Sequence, residues 1–224
     1  MLCLVTDRRR LVAPGAHDRE TTRCLLAQAR HAAHAGVDLI QVRERDLEAA
    51  ALAALVTAIV DAVRSTPVRV VVNDRLDVAV ACGAHGVHLR ADSLPVTAAR
   101  RLAPPSFLIG RSVHRIEEVK AAAGADYFVA GTVFRSESKP DDHALLGLDG
   151  LRAVVRAADA PVLAIGGVTM DRLAAVSAAG AAGVAAIGLF MDAEGARPDS
   201  CRARELDGLV ARARSLFDSV NARP

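Results

Sequence analysis

The stretch Val70-Val-Val-Asn-Asp-Arg-Leu-Asp-Val-Ala-Val-Ala-Cys-Gly-Ala-His-Gly-Val-His-Leu89 decides the fold. A β-branched run ends in Asn73-Asp74-Arg75. A short helical pattern follows and Gly83 closes it. A second apolar run then ends at His88. Polar, chemically capable residues stand where each strand ends. The same arrangement recurs in Gln41-Val-Arg-Glu-Arg45, Arg111-Ser-Val-His114, Gly131-Thr-Val-Phe and Ile165-Gly-Gly167. A βα repeat that presents polar groups at the carboxyl end of every strand predicts a single (β/α)8 TIM barrel, the fold that builds its site at that face.

Working outward, the sequence offers eight candidate strands: Leu2–Asp7, Asp38–Glu44, Val68–Asp74, Gly86–Leu89, Phe107–Val113, Tyr127–Val133, Pro161–Gly167 and Gly183–Gly188. Most are continuous apolar runs, as suits parallel strands covered on both faces. Helical patterns fill the intervals: Glu20–Ala35, Leu47–Ser65, Leu76–Cys82, Val96–Leu102, Ile116–Ala123, Leu148–Ala158, Met170–Ala179 and Cys201–Ser219. Gly36, Gly83, Gly124 and Gly180 each follow a helix and precede a strand, as helix-ending glycines do. Phrases such as Ala35-Gly-Val-Asp-Leu39 and Ala123-Gly-Ala-Asp-Tyr127 repeat with a period of roughly 45 residues. Arg8–Asp18 and Arg135–Gly147 read as loops. The second, of about 13 residues, exceeds the usual strand-to-helix connection and predicts a lid.

The chain of 224 residues is expected to be one domain, residues 1–224, since barrels of this size are single cores. Apolar residues make up 52% and aromatics only 3%, so small aliphatic side chains must fill the core. Lys and Arg number 28 against 26 acidic residues, which gives no basic surplus for nucleic acid. No apolar run approaches the ~20 residues that span a bilayer, so no membrane partner is expected. Met1-Leu-Cys-Leu-Val-Thr-Asp7 reads as a first strand rather than a signal peptide, which predicts a cytoplasmic protein. Cys3, Cys24, Cys82 and Cys201 form no CxxC or His/Cys cluster and are expected to be reduced thiols acting as small hydrophobes.

Several groups could carry chemistry. Ile165-Gly-Gly-Val-Thr169 and Ala186-Ile-Gly188 close strands seven and eight, where many barrels bind phosphate through backbone amides. A plain tight turn is the structural alternative. Arg43 and Arg45 alternate with Gln41 and share its face, so two guanidiniums at a strand end suit a pyrophosphate. The alternative is a surface ion pair with Glu44 or Asp46. Asn73 and Asp74 offer hard oxygen ligands for Mg²⁺, or simply cap the next helix. Ser112 and His114 end strand five, while Ser136, Ser138 and Lys139 lie in the long loop. His88, alone on a short strand, reads as a satisfied core histidine.

Taken together, these pieces resemble the thiamine-phosphate synthase / thiazole tautomerase (TenI-like) family. The resemblance runs from Leu4-Val-Thr-Asp7 to about Asp192. It rests on Gln41-x-Arg-x-Arg45, Val72-Asn-Asp-Arg75, Gly83-Ala-x-Gly-Val-His88, Ile109-Gly-Arg-Ser-Val-His114, Gly124-Ala-Asp-Tyr-x-x-x-Gly-x-Val-Phe134 with Ser138-Lys139, and Ala164-Ile-Gly-Gly167. For the synthase branch it implies a Mg²⁺-assisted transferase. Aminopyrimidine diphosphate would lose pyrophosphate, and thiazole phosphate would capture the resulting cation as thiamine phosphate. By position, Gln41, Arg43, Arg45, Asn73, Ser112 and Lys139 would bind the diphosphate and pyrimidine. Ser136 and Ser138 would stand where the family usually has threonines, Asp74 would ligate Mg²⁺, and Gly167 with Gly188 would hold the thiazole phosphate. A homo-oligomer is compatible with this reading.

The sequence also departs from the synthase pattern. After the strand-four His-Leu the synthase usually reads Gly-Gln-Glu-Asp, the last residue being the second metal ligand. Here the row is Arg90-Ala-Asp-Ser93, and the carboxylate stands one residue earlier, at Asp92. The tautomerase branch lacks that ligand and uses a histidine of a Ser-Val-His segment as general acid/base, which Ser112-Val-His114 matches. The paired arginines, Asn73-Asp74 and Ser138-Lys139 favour the synthase. Arg90-Ala-Asp-Ser93 favours the tautomerase. A non-catalytic phosphate-binding regulator on the same barrel is a third reading, since a fold hosts many functions.

Overall fold

Valine- and isoleucine-rich runs, each ended by glycine or a polar group, form eight strands in the computed structural model of the chain. These are β1 (Leu2–Val5), β2 (Leu39–Val42), β3 (Arg69–Asn73), β4 (Gly86–Leu89), β5 (Leu108–Val113), β6 (Tyr127–Gly131), β7 (Val162–Ile165) and β8 (Gly183–Ala186). The structure describes residues 1–135, 144–191 and 203–221. The strands are parallel, neighbour in chain order, and close as β8 pairs with β1 through Cys3↔Ala185. This is the (β/α)8 barrel that the repeat predicts.

The helices are α1 (Asp18–Ala35), α2 (Ala49–Val63), α3 (Leu76–Ala81), α4 (Val96–Leu102), α5 (Ile116–Ala121), α6 (Gly147–Ala157), α7 (Leu173–Ala178) and α8 (Ala203–Asn221). Each buries an apolar stripe on the sheet. In α8 the stripe is Leu206, Val210, Ala213 and Phe217, the spacing that keeps one helical face on the core. Burying each of its larger side chains contributes about 1.5–3 kcal/mol. Gly36 ends α1 with φ +92° and returns its N–H to the Ala32 and Ala33 carbonyls, a conformation in which a Cβ is penalised.

Two apolar layers result. One lies between strands and helices. The other fills the barrel with Cys3, Val5, Leu39, Val71, Tyr127, Val129, Leu163 and Ala185. The strands alternate strictly between these layers, so odd-numbered residues of β1, β2 and β3 point inward. At Gly110 the interior has no room for a side chain, because an added Cβ would fall 2.1 Å from Cζ of Tyr127. The chain's single tyrosine occupies the space that glycine leaves. Cys3, Cys24 and Cys82 are free thiols, and burial pushes the Cys3 thiol up to about 12. Cys201 lies outside the described residues.

The strand ladders are shorter than the apolar runs. In β2 the ladder ends at Val42, and Arg43 onward leaves it to form the barrel mouth. The segment read as a loop from Arg8 contains a 3-10 turn, Arg8–Leu11, because Arg8 turns inward to carboxylates. The helix after β7 likewise begins as a 3-10 turn over Met170–Arg172.

Candidate active site

Parity places Gln41 and Arg43 on the inner face of β2 and Glu44 on the outer. Glu44 is buried and accepts from Thr6 Oγ1 at 2.7 Å and from Arg8 Nη1 at 3.1 Å. Arg8 also grips Asp46 with both terminal nitrogens at 2.7 Å, the bidentate geometry a guanidinium favours. Burial raises the Glu44 carboxyl, opposed by its bonds from Thr6 and Arg8, whereas the Arg8 fork lowers Asp46. Thr6 passes the constraint on by accepting from the Arg43 backbone N–H at 2.9 Å.

This network removes the bland reading of the arginine pair. Arg8 holds Glu44 and Asp46, Arg9 shares Asp46, and among the described residues neither Arg43 nor Arg45 has an ion-pair partner. Burial holds the Arg43 guanidinium below its ordinary range, and the charges of Arg45 and, more weakly, Arg90 act the same way. Asp7 and Glu44 act in the opposite sense, so Arg43 stands in a mixed field of arginines and carboxylates at the mouth.

Asn73 and Asp74 do not cap α3, whose N-terminal flanking residue is Arg75 with no side-chain cap bond. Asn73 Oδ1 instead accepts from Gln41 Nε2 at 3.0 Å, tying β2 to β3. Asp74 adopts φ +65° and turns its carboxylate to Arg90, with Nε 2.7 Å away. Asp92 approaches the same Nε at 3.4 Å. Arg75 is occupied by Asp77. The loop carrying Arg90 and Asp92 is tethered from β5: Arg111 donates to the Ala91 and Leu94 carbonyls, each at 2.8 Å.

His88 lies inside the barrel, with Nδ1 3.2 Å from Tyr127 Oη and Nε2 2.8 Å from Ser112 Oγ. Burial pushes its pKa down to about 4 and raises that of Tyr127, so both are neutral. A hydroxyl can donate or accept, so either tautomer satisfies both contacts. His88 is therefore the core histidine the sequence suggests, and it also orients Ser112. His114 is exposed at the mouth, and its Nδ1 contacts the Gly131 carbonyl. The carbonyl can only accept, so that contact makes Nδ1 the donor and directs Nε2 away from it.

Gly166 and Gly167 have φ +96° and +59°, so the tight turn is present, and a Cβ on Gly167 would strike the Arg135 and Phe134 carbonyls. Arg172 donates to the Gly167 carbonyl at 2.6 Å and lies 4.8 Å over the Phe134 ring. Gly188 opens the 3-10 turn Gly188–Phe190 and is exposed, with Arg10 reaching toward it. Gln41, Arg43, Asn73, Asp74, Asp92, Ser112, His114, Gly167 and Gly188 thus all stand at the carboxyl ends of strands or in the loops that follow them. Ser136, Ser138 and Lys139 lie outside the described residues. Sequence reasoning missed Arg8, Arg111 and Tyr127 as supports. The only local cue for Tyr127 is that it is the chain's one tyrosine.

Fold and mouth define a class, a (β/α)8 barrel with cationic and carboxylate groups gathered around its carboxyl face. Residues 4–190 match the family model for thiamine monophosphate synthase, and the chain belongs to that family. It is 43% identical over 196 residues to a thiamine-phosphate synthase of Methanoculleus marisnigri, covering 87% of each chain. It is 42% identical over 194 residues to one of Methanoregula boonei, covering 86% of this chain and 84% of the relative. The structure superposes on thiamine phosphate pyrophosphorylase from Pyrococcus furiosus with TM-score 0.77 and 30% identity, covering 98% and 96% of the two chains.

Proposed function

We propose that this barrel is the catalytic unit of a thiamine-phosphate diphosphorylase, a transferase that joins an aminopyrimidine diphosphate to a thiazole phosphate. The observation that supports this reading is that two arginines at the mouth, Arg43 and Arg45, have no ion-pair partner among the described residues. Glu44 and Asp46 are bonded to Arg8, and a diphosphate would give Arg43 and Arg45 an anionic partner. In the reaction the bond between the pyrimidine methylene and the diphosphate oxygen breaks, and its electron pair leaves with pyrophosphate. The thiazole nitrogen lone pair then forms the new C–N bond. Arg43 and Arg45 stabilise the departing charge in place, with no reorganisation at the moment of reaction. Gln41 and Asn73 orient the diphosphate or pyrimidine, and Ser112 meets the pyrimidine side from a position set by His88. Lys139, Ser136 and Ser138, which lie outside the described residues, would by family position bind the diphosphate. Gly167 and Gly188 accept the thiazole phosphate on main-chain amides.

The family reading implies Mg²⁺, and the donor set fits it. Asp74 and Asp92 direct hard oxygens at one point, now held by Arg90 Nε. Among the described residues no cluster of three or more His, Cys, Asp or Glu is available, so two carboxylates and substrate oxygens would share the ion. When bound, Mg²⁺ would offset the diphosphate charge. Among the described residues no helix is long and apolar enough to cross a membrane, and a cytoplasmic setting suits phosphorylated substrates.

One observation favours a second activity. His114 at the mouth, oriented through Nδ1 by the Gly131 carbonyl, is the kind of group a thiazole tautomerase needs for proton transfer. The test incubates purified protein with aminopyrimidine diphosphate and thiazole phosphate, with and without Mg²⁺, and follows pyrophosphate and thiamine phosphate. Mg²⁺-dependent product is expected. No coupling, with isomerisation of the thiazole carboxylate phosphate instead, would move the assignment to the tautomerase. Binding of thiazole phosphate without either turnover would make the protein a regulator.

A further inference from the structure

Arg90-Ala-Asp-Ser93 is the motif that the proposed function leaves unabsorbed. Its arginine meets one residue twice, by a backbone hydrogen bond and by an ion pair. The Arg90 backbone N–H donates to Asp74 Oδ1 at 3.3 Å, and its Nε lies 2.7 Å from Asp74 Oδ2. The same Nε lies 3.4 Å from Asp92 Oδ1. A single cationic nitrogen therefore sits between the two carboxylates that would hold a divalent ion. The surrounding loop is pinned by Arg111 through the Ala91 and Leu94 carbonyls, so the backbone keeps Arg90 close to Asp74. The side chain itself is not locked in. It is 46% exposed, and its contacts to both carboxylates run through Nε.

We propose that Arg90 is a displaceable internal cation, holding Asp74 and Asp92 in place of a divalent metal and swinging onto the diphosphate when metal and diphosphate enter together. The physical basis is that a guanidinium and a divalent ion cannot occupy one pair of carboxylates at close range without added negative charge. The diphosphate brings that charge, and its oxygens match the vacated guanidinium fork. Metal capture is then coupled to diphosphate capture, so the free protein holds the ion weakly. This inference rests on the synthase reading and deepens it.

The test measures binding of Mn²⁺ alone, as a probe for Mg²⁺, to the intact protein by calorimetry and by loss of the free-ion resonance signal. The titration is then repeated with inorganic pyrophosphate present. Arg90→Gln keeps the polarity and removes the charge. Mn²⁺ alone should bind this variant at least about tenfold more tightly than the original chain, a difference of about 1.4 kcal/mol. With pyrophosphate present the advantage should vanish or reverse, because the original chain regains a phosphate ligand. Arg90→Lys, which keeps the charge, should retain weak metal binding. Asp74→Asn should weaken binding in every background. Equal Mn²⁺ affinity in the original chain and Arg90→Gln, in a protein that still makes thiamine phosphate, overturns the role of Arg90 and leaves the synthase reading intact. Absence of coupling activity together with no Mn²⁺ binding in any variant overturns both.

Discussion

The two ends of the barrel carry similar charged residues and use them in opposite ways. At the amino end, Asp38 accepts from the Leu2 backbone N–H at 2.7 Å and pairs with Arg214 at 2.9 Å. Asp126 accepts from the Ile109 N–H at 2.6 Å and from Arg100 at 2.7 Å. Asp38, Asp126 and Arg214 line a cavity of about 350 Å³ that also touches Leu108 and Tyr127. At the carboxyl end, Arg43 and Arg45 have no such partners among the described residues, and two aspartates converge on Arg90. The two aspartates of the floor are each satisfied by an arginine and a backbone N–H. The mouth keeps two arginines without an ion-pair partner among the described residues. A sizeable hollow is therefore no guide to chemistry here, whereas an unneutralised cluster is, as expected for barrels whose amino face serves stability and whose carboxyl face serves function.

The comparison breaks most visibly at Arg43. Arg43→Ala should lower turnover by about 100-fold or more, the scale of losing one preorganised charge partner, while thermal stability stays unchanged or rises. A matched loss of melting temperature would show that the mouth, too, is structural.

His88 lies between the two ends and sharpens the contrast through pH. Its folded pKa is about 4 against 6.5 ordinarily, so the unfolded chain takes up a proton that the folded chain refuses. Its stabilising contribution is therefore complete above about pH 6.5 and lost as pH falls toward about 4, up to the order of 3 kcal/mol. Denaturant midpoints at pH 7 and pH 4.5 should draw together in His88→Gln. Parallel acid losses in both proteins would remove His88 as the cause.

At the floor, Asp126→Ala should cost about 1–3 kcal/mol by stranding the Ile109 N–H, with kcat unaltered per folded molecule. Reduced kcat at full folding would mean that the floor communicates with the site.

The architecture was legible because it repeats. Period-two burial along strands, helix stripes and closing glycines are local signals, and α4 matches its pattern end to end. The residues standing at strand ends, such as Gln41, Asn73 and Ser112, follow from the same repeat. What escaped were links between distant loops. The Arg8–Glu44 bond spans 36 positions, and outward parity hides Glu44 from any reading of the inner face. Arg111 holding Ala91 and Leu94 joins the loop after one strand to the next strand's outer face, which no periodicity encodes. Arg90 was visible only as a departure. That it bridges Asp74 and Asp92 required coordinates.

Asp74 is the one described non-glycine residue with positive φ, and that backbone acts as a filter on mutation. Only glycine, asparagine and aspartate tolerate the left-handed region readily. Exchange for alanine, leucine or serine strains the strand-to-helix turn at the same moment as it deletes the carboxylate. Exchange for asparagine or glycine keeps the turn and deletes the charge. Random drift at this position therefore yields either a damaged fold or a sound fold without its carboxylate. A descendant that kept the turn but not the charge would be recognisable by a single asparagine or glycine in an otherwise intact barrel.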